Sequence, residues 1–317
     1  MSAIDVFNVY FSASTAIFLT AFGLLGNSIV LFVYTRKRFR NITMFRYYSF
    51  SVIFETLELL LIWPFNFSEF FQFNNNRISC KMVQYLAYLF TQCVSWISVL
   101  IAIDRYLSAK SVGNSIRKKR SFQIAALTTI FLVSSLIYAP FFVFNDIIID
   151  LNNSSYCGVE DTFTSIFMDA SDFIISALIP FIIMIAASCL VGLYLVKNRI
   201  KLNKKKMRKE IRLLKILIGM DIFFFLCYFP WSAFVLTNDF LTLEGLFIDY
   251  MSIVYNVTNF IIFLYCSCSF VIHFISNKKF RSYLLCSSKK SKYIYQNKQQ
   301  TGTSSSFPAD LWKAIEN

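Results

Sequence analysis

An all-α membrane protein, a seven-transmembrane helix bundle followed by a short amphipathic eighth helix, is the fold class that three observations predict. Hydrophobic residues make up 56% of the 317-residue chain and charged residues 15%, where a soluble domain carries nearer ~25% charged; mean hydropathy is +0.56. Seven apolar segments of about 20 residues or more follow one another, each long enough to cross a bilayer as a helix. The basic residues are also confined to alternate connections. Of the 31 lysines and arginines, all but Arg77 and Lys81 fall on one side of the segments so drawn.

The spans run Tyr10–Tyr34, Phe45–Phe65, Met82–Ile103, Phe122–Phe144, Phe173–Val196, Ile211–Leu236 and Phe247–Ile275. The first is preceded by no positive residue and is longer than a signal-peptide apolar core. It runs into Arg36, Lys37, Arg38 and Arg40, so it reads as an uncleaved span. Further basic clusters lie at Lys110 to Arg120, at Lys197 to Lys215 and beyond Lys278. Basic loops stay in the cytoplasm, which places residues 1–9 outside, 10–275 in the membrane, and the amphipathic helix 276–286 and tail 287–317 inside. The +13 net charge is then an orientation signal with some attraction to anionic lipid. No nucleic-acid partner is expected, because every basic cluster abuts a span. The Ser- and Thr-rich tail cannot bury a core and is expected to be disordered; phosphorylation there would suit an arrestin-like partner. There is one His, no Gly-rich phosphate loop and no metal-ligand spacing, so neither enzyme, cofactor nor metal is expected.

Span three carries the most specific pattern. Arg105, within Asp104-Arg105-Tyr106, lies 25 residues after Cys80, a rise of about 37 Å at ~1.5 Å per residue. A thiol therefore sits at one membrane face and an ion cluster at the other. This spacing and triplet resemble the third helix of class A (rhodopsin-like) G-protein-coupled receptors. Other landmarks match in order: Gly26-Asn27, Pro140, Pro180, and Phe224 with Cys227-Tyr228-Phe229-Pro230, where the family has Trp in place of Tyr228. Ser269-Phe270-Val271-Ile272-His273 stands where Asn-Pro-x-x-Tyr is expected, followed by Asn277-Lys278-Lys279-Phe280-Arg281. Glu55, nine residues before Pro64, replaces the usual Asp, and span four lacks the usual Trp. The frame Leu264–His273 is similar to the version in invertebrate FMRFamide-type peptide receptors. The resemblance covers about residues 10 to 286.

The resemblance implies a plasma-membrane receptor that binds an extracellular ligand and activates a heterotrimeric G protein. Cys80 and Cys157 both fall outside, where disulfides persist, and their pairing would pin the second outer loop to helix three. Asp104, Arg105 and Tyr106 form the expected coupling end. Glu210, twenty residues before Pro230, has the spacing of the arginine's resting partner; an exposed Glu neutralising Lys206 or Lys209 is the alternative. Asn27, Glu55, Pro180, Phe224, Tyr228, Pro230, Ser269 and His273 form the expected activation core. A mid-membrane carboxyl at Glu55 needs a partner, water or a proton. The sodium ion that the family holds there would find fewer oxygen ligands, since the partner positions are Val94 and Ser269. Cys286 matches the palmitoylated cysteine that ends the eighth helix, with a plain reduced thiol as the alternative. Cys93, Cys189, Cys227, Cys266 and Cys268 lie in spans and read as packing residues.

Two ligand classes lack their anchor. Amine receptors place an Asp where this chain has Ala87, and opsins a Lys where it has Phe263. The outer loops are acidic, which raises the local concentration of cationic ligands; solubility explains most of those acids. Asp172, eight residues before Pro180, and Asp169, one turn earlier, stand where family pockets are lined. Gln84, Tyr88, Thr91, Trp231 and Asn259 complete the expected pocket, and a basic neuropeptide is the expected ligand. Asn152 and Asn153 begin sequons on the outer side. A transporter or channel is the competing class, disfavoured by the lack of repeat halves and of a polar path beyond Glu55, Glu58 and Asp221. A receptor-shaped protein that does not signal is a third reading, prompted by Phe270 and His273.

Overall fold

The computed structural model describes residues 3–66, 76–110, 119–149, 155–198, 204–240 and 248–285. Helix α1 (Ala3–Tyr34) leads through one-turn α2 (Lys37–Arg40) to α3 (Thr43–Asn66) and α4 (Arg77–Ala109). Next come α5 (Arg120–Ile137), short α6 (Ala139–Phe144) and a hairpin of β1 (Asn145–Ile149) and β2 (Ser155–Val159). Then α7 (Thr162–Asp172), a π-helical segment (Phe173–Leu178) and α8 (Ile179–Lys197) form one continuous rod, followed by α9 (Lys204–Phe240) and α10 (Ile248–Ser276). A last helix, α11, covers residues 278–285. Its start is capped by Asn277, whose Oδ1 accepts the backbone N–H of Lys279 at 3.1 Å and of Phe280 at 3.3 Å.

The seven-helix expectation holds. Among the described residues, six helices are long and apolar enough to cross a membrane; α3 is less apolar because it carries Arg46, Glu55 and Glu58. Helices α1, α3, α4, α8, α9 and α10 close a ring through successive contacts, with α5 packed on the outside of α4. Leu25, Leu136, Leu193 and Leu226 project outward, the pattern a lipid surround requires. Polar Asn27, Glu55, Ser95 and Ser269 turn inward.

Several helices run past the expected spans, and spans four and five differ in more than length, each with a proline at its irregularity. Span four was expected as one helix to Phe144. It breaks at Tyr138 because Pro140 has no N–H to offer the carbonyl of Leu136. Span five was expected to begin at Phe173, but the helix starts about three turns earlier, at Thr162, capped by Asp161, and passes through the π segment. Pro180 likewise deprives the Ser176 carbonyl of its helical donor. Helix α4 supplies the replacements: Ser95 Oγ donates to Ser176 O at 2.6 Å and Trp96 Nε1 to Ile175 O at 3.2 Å. A lipid environment demands such substitutes.

Helix α1 meets α10 at close range. A Cβ on Gly26 would stand 2.9 Å from the Phe270 Cβ, an atom fixed to the backbone. One on Gly23 would meet the mobile end of Leu59 at 2.4 Å, but also Ser267 Cα at 3.1 Å. Small residues allow this contact. We expect Gly26→Ala to destabilise the detergent-solubilised protein by about 1–3 kcal/mol through overpacking. Gly192→Ala, where a Cβ meets nothing within 4 Å, should leave the melting temperature unchanged or raised. Equal melting of the two variants would show that α1 and α10 are not in this contact.

Candidate functional site

Two ties hold the β1–β2 hairpin to the start of α4, and a third joins α6 to it. Asn76 Oδ1 caps that helix by accepting from Ile78 N at 2.9 Å and Ser79 N at 3.4 Å. Cys80 is disulfide-bonded to Cys157, with Cα atoms 5.7 Å apart. Arg77 pairs with Asp146, and Lys81 Nζ donates to Val143 O at 2.8 Å. The backbone N–H of Ile147, with Arg77 adding to it, holds the Asp146 carboxyl below the ordinary aspartate value. That tie is therefore complete above the ordinary value and is lost as pH falls through the lowered one. Arg77 and Lys81, read from sequence only as exceptions to the charge pattern, lie near Cys80 and tie α4 to the hairpin and to α6 respectively. In the antiparallel register Ile147 faces Cys157.

Cys157 also borders a cavity of about 280 Å³ between the helices. Its walls include Gln84, Ala87, Tyr88 and Thr91 of α4, Tyr228, Trp231, Phe234 and Val235 of α9, and Tyr255, Asn259, Ile262 and Phe263 of α10. Helix α3 adds Glu58 and Leu61. Five of the expected pocket residues, Gln84, Tyr88, Thr91, Trp231 and Asn259, are thus brought together. Asp169 and Asp172 are not among the lining residues. Glu58, named from sequence only with Glu55 and Asp221 among the polar residues of the spans, is; its position one turn beyond Glu55 was the available signal.

Asp172 lies in a buried hydroxyl cluster. Tyr138 donates to its Oδ1 at 2.6 Å, Ser176 to Oδ1 at 2.8 Å and Tyr228 to Oδ2 at 3.1 Å. Gln92 Oε1 lies 3.4 Å from the Tyr138 hydroxyl. Asp169 is held more loosely, by Tyr88 at 3.4 Å. The cluster joins α4, the α5–α6 break, the π segment and α9. Tyr228, the residue in the usual Trp position, belongs to both the cavity wall and this cluster. Sequence reasoning missed Tyr138 and Gln92, since neither carries a motif; the i, i+4 pair Asp172 and Ser176 was the visible half.

Midway along the bundle, Asn27 Nδ2 donates to Thr56 Oγ1 at 3.1 Å and to Cys266 O at 3.3 Å, and Ser269 Oγ donates to Asn27 Oδ1 at 3.2 Å. Glu55 Oε1 accepts from Ser51 at 2.9 Å, and Ser188 donates to Asp221 at 3.0 Å. Phe224 stacks on Tyr228 with centroids 5.3 Å apart, and Pro180 is buried while Pro230 lies inside α9. His273 is fully buried, with Tyr48 and Tyr34 edge-on at 4.7 and 5.2 Å. At the far end of α4, Arg105 Nη2 donates to Asp104 Oδ2 at 2.6 Å and to Ser108 Oγ at 3.2 Å. Tyr106 packs against Ala109, Val191 and Leu195. Among the described residues no ion pair joins Arg105 to half-buried Glu210, and no cluster of His, Cys, Asp and Glu suits a metal ion. Asn152, Asn153, Cys286 and the Ser/Thr tail lie outside the described residues.

Residues 26–279 match the family described as 7 transmembrane receptor (rhodopsin family). The chain belongs to this receptor family. It is 23% identical to C-C chemokine receptor type 4 of Homo sapiens over 303 residues, 91% of this chain and 81% of that protein. Apelin receptor B of Danio rerio is 23% identical over 235 residues, 67% of this chain and 62% of the relative. C-X-C chemokine receptor type 5 of Rattus norvegicus is 25% identical over 274 residues, 82% of this chain and 71% of the relative. In this rhodopsin-family receptor, then, the disulfide-bearing hairpin, the cavity and the Arg105 cluster are strung along one helix, α4. Its hydroxyl cluster can be tested directly. Tyr138→Phe removes the shortest donor to Asp172 while keeping the ring, and we expect a loss of about 1–3 kcal/mol in thermal unfolding. An unchanged melting temperature would show that the carboxyl is satisfied without Tyr138.

Proposed function

We propose that this receptor binds a cationic peptide in the cavity below the hairpin and answers by activating a heterotrimeric G protein at the Arg105 end. The observation that carries the reading is the double membership of Tyr228. Its ring lines the cavity, its hydroxyl reaches Asp172, and it stacks on Phe224 further down α9. A ligand that draws Tyr228 away from Asp172 removes a contact specific to this arrangement of α9, and only such differential contacts shift a conformational equilibrium. Ala87 and Phe263 line the cavity where amine and retinal ligands need a carboxylate and a lysine, which supports a peptide. Relatives named for chemokines and for apelin agree with a ligand outside both of those classes. The likeness of Leu264–His273 to FMRFamide-type receptors narrows the proposal to a short basic neuropeptide.

In this reading the hairpin end faces the outside of the plasma membrane and the Arg105 end the cytoplasm. Asn152 and Asn153 are glycosylated, Cys286 is palmitoylated, and the phosphorylated tail recruits an arrestin-like protein. Arg105 is the coupling residue and Asp104 its restraint at rest; Glu210, expected as the resting partner, makes no ion pair with Arg105 among the described residues. A receptor-shaped protein without signalling, or a transporter, would show no ligand-stimulated nucleotide exchange.

The deciding experiment is nucleotide exchange on a promiscuous Gα, driven by a library of basic, neutral and acidic peptides. Basic peptides should stimulate exchange. At matched surface expression, Asp104→Asn should raise the basal rate several-fold and Arg105→Ala should abolish the response. A library in which only acidic peptides act would refute the ligand class. Full signalling by Arg105→Ala would refute the coupling site.

A further inference from the structure

We propose that Glu58 is the anchor for the cationic group of the ligand, so that the cavity reads a guanidinium or ammonium held between one carboxylate and aromatic walls. This rests on the reading of that cavity as the ligand site, and it deepens it by naming the residue and the chemistry it selects. Glu58 is 4% exposed and lines the cavity. Its Oε1 accepts from Thr91 Oγ1 at 2.8 Å, but the same hydroxyl lies 2.9 Å from Ala87 O and has one proton to share between them. Its Oε2 is buried with no hydrogen-bond partner among the described residues. The Cys266 thiol, a weak donor, borders the carboxyl.

A carboxyl this poorly served is costly within a membrane unless a partner arrives. No basic side chain is present among the described residues that line the cavity. The two described cations at the hairpin end are already engaged, Arg77 with Asp146 and Lys81 with Val143 O. A cationic group brought by the ligand would supply the missing partner. The walls suit it: Tyr88, Tyr228, Trp231 and Tyr255 present aromatic rings, with Trp231 and Tyr255 centroids 5.5 Å apart, and such faces attract organic cations. Asp172 is the contrasting case, since both its carboxylate oxygens have hydroxyl partners, Tyr138 and Ser176 at Oδ1 and Tyr228 at Oδ2, and it lies off the cavity wall. The volume of about 280 Å³ sits at the small end of the ~300–1,000 Å³ typical of ligand sites. It accommodates one basic side chain and its neighbouring backbone, not a whole peptide. A planar fork that stacks on aromatic rings favours arginine over lysine.

Thermal unfolding of the full chain in nanodiscs tests this, with Nα-acetylated arginine amide, lysine amide and neutral citrulline amide as probes, so that the side chain carries the only charge. Arginine amide should stabilise the receptor most, lysine amide less, and citrulline amide least. Glu58→Gln should weaken the arginine amide effect by at least about ten-fold in midpoint concentration. Trp231→Ala, on the opposite wall, should weaken all three probes. If Glu58→Gln cannot be recovered folded, Glu58→Asp, which withdraws the charge by one methylene, must lower the arginine amide effect. Equal stabilisation by citrulline and arginine amides, or an undiminished effect in Glu58→Gln, overturns the anchor. If Trp231→Ala still abolishes the effect, the cavity reading survives that failure. Arginine amide binding indifferent to both substitutions overturns both readings.

Discussion

Inside a bilayer no water is at hand, so a polar group in the interior of this bundle must be met by another helix, and that condition decides which helices touch where. The consequences begin with the backbone. Pro180 breaks the hydrogen-bond ladder of α8, and Ser95 and Trp96 answer from α4. Asn27 makes the same kind of bond three times over, drawing α1, α3 and α10 to one point. Gly26 permits the approach by having no side chain to keep Phe270 away. Each bond is modest by itself, but leaving any one unmade exposes a buried polar atom to hydrocarbon.

Helix α4 carries the largest share of this pairing. It is stapled to the hairpin at Cys80, it lines the cavity through Tyr88 and Thr91, and Gln92 reaches the Asp172 cluster. Its last turns hold Arg105 with Asp104. Helix α9 carries Pro230 within it and joins the Asp172 cluster through the Tyr228 hydroxyl, with a second tie from Asp221 to Ser188 of α8.

The departures from the family pattern make physical sense together. Tyr228 offers a hydroxyl to Asp172 that an indole in that place would have to aim differently. Ser269 keeps a hydrogen bond to Asn27 with a shorter side chain. His273 fills an aromatic slot between Tyr34 and Tyr48.

The sequence by itself determined what depends on local composition and on order along the chain. Span length and the sign of the loops follow from how each residue partitions between lipid and water. The Cys80 to Arg105 spacing converts directly into distance along a helix, so seven spans, the disulfide and the family were legible without coordinates. Five pocket residues followed from what the family resemblance implies. What remained was decided by contacts between helices far apart in the chain, which no periodicity encodes. Asp172 and Glu58 look alike as letters, an acid in an apolar run. Only tertiary structure surrounds one with hydroxyls from Tyr138, Ser176 and Tyr228 and leaves the other half-satisfied at the edge of a cavity. A carboxyl's role in a membrane depends on which donors stand within ~3 Å of it, and those donors come from other helices.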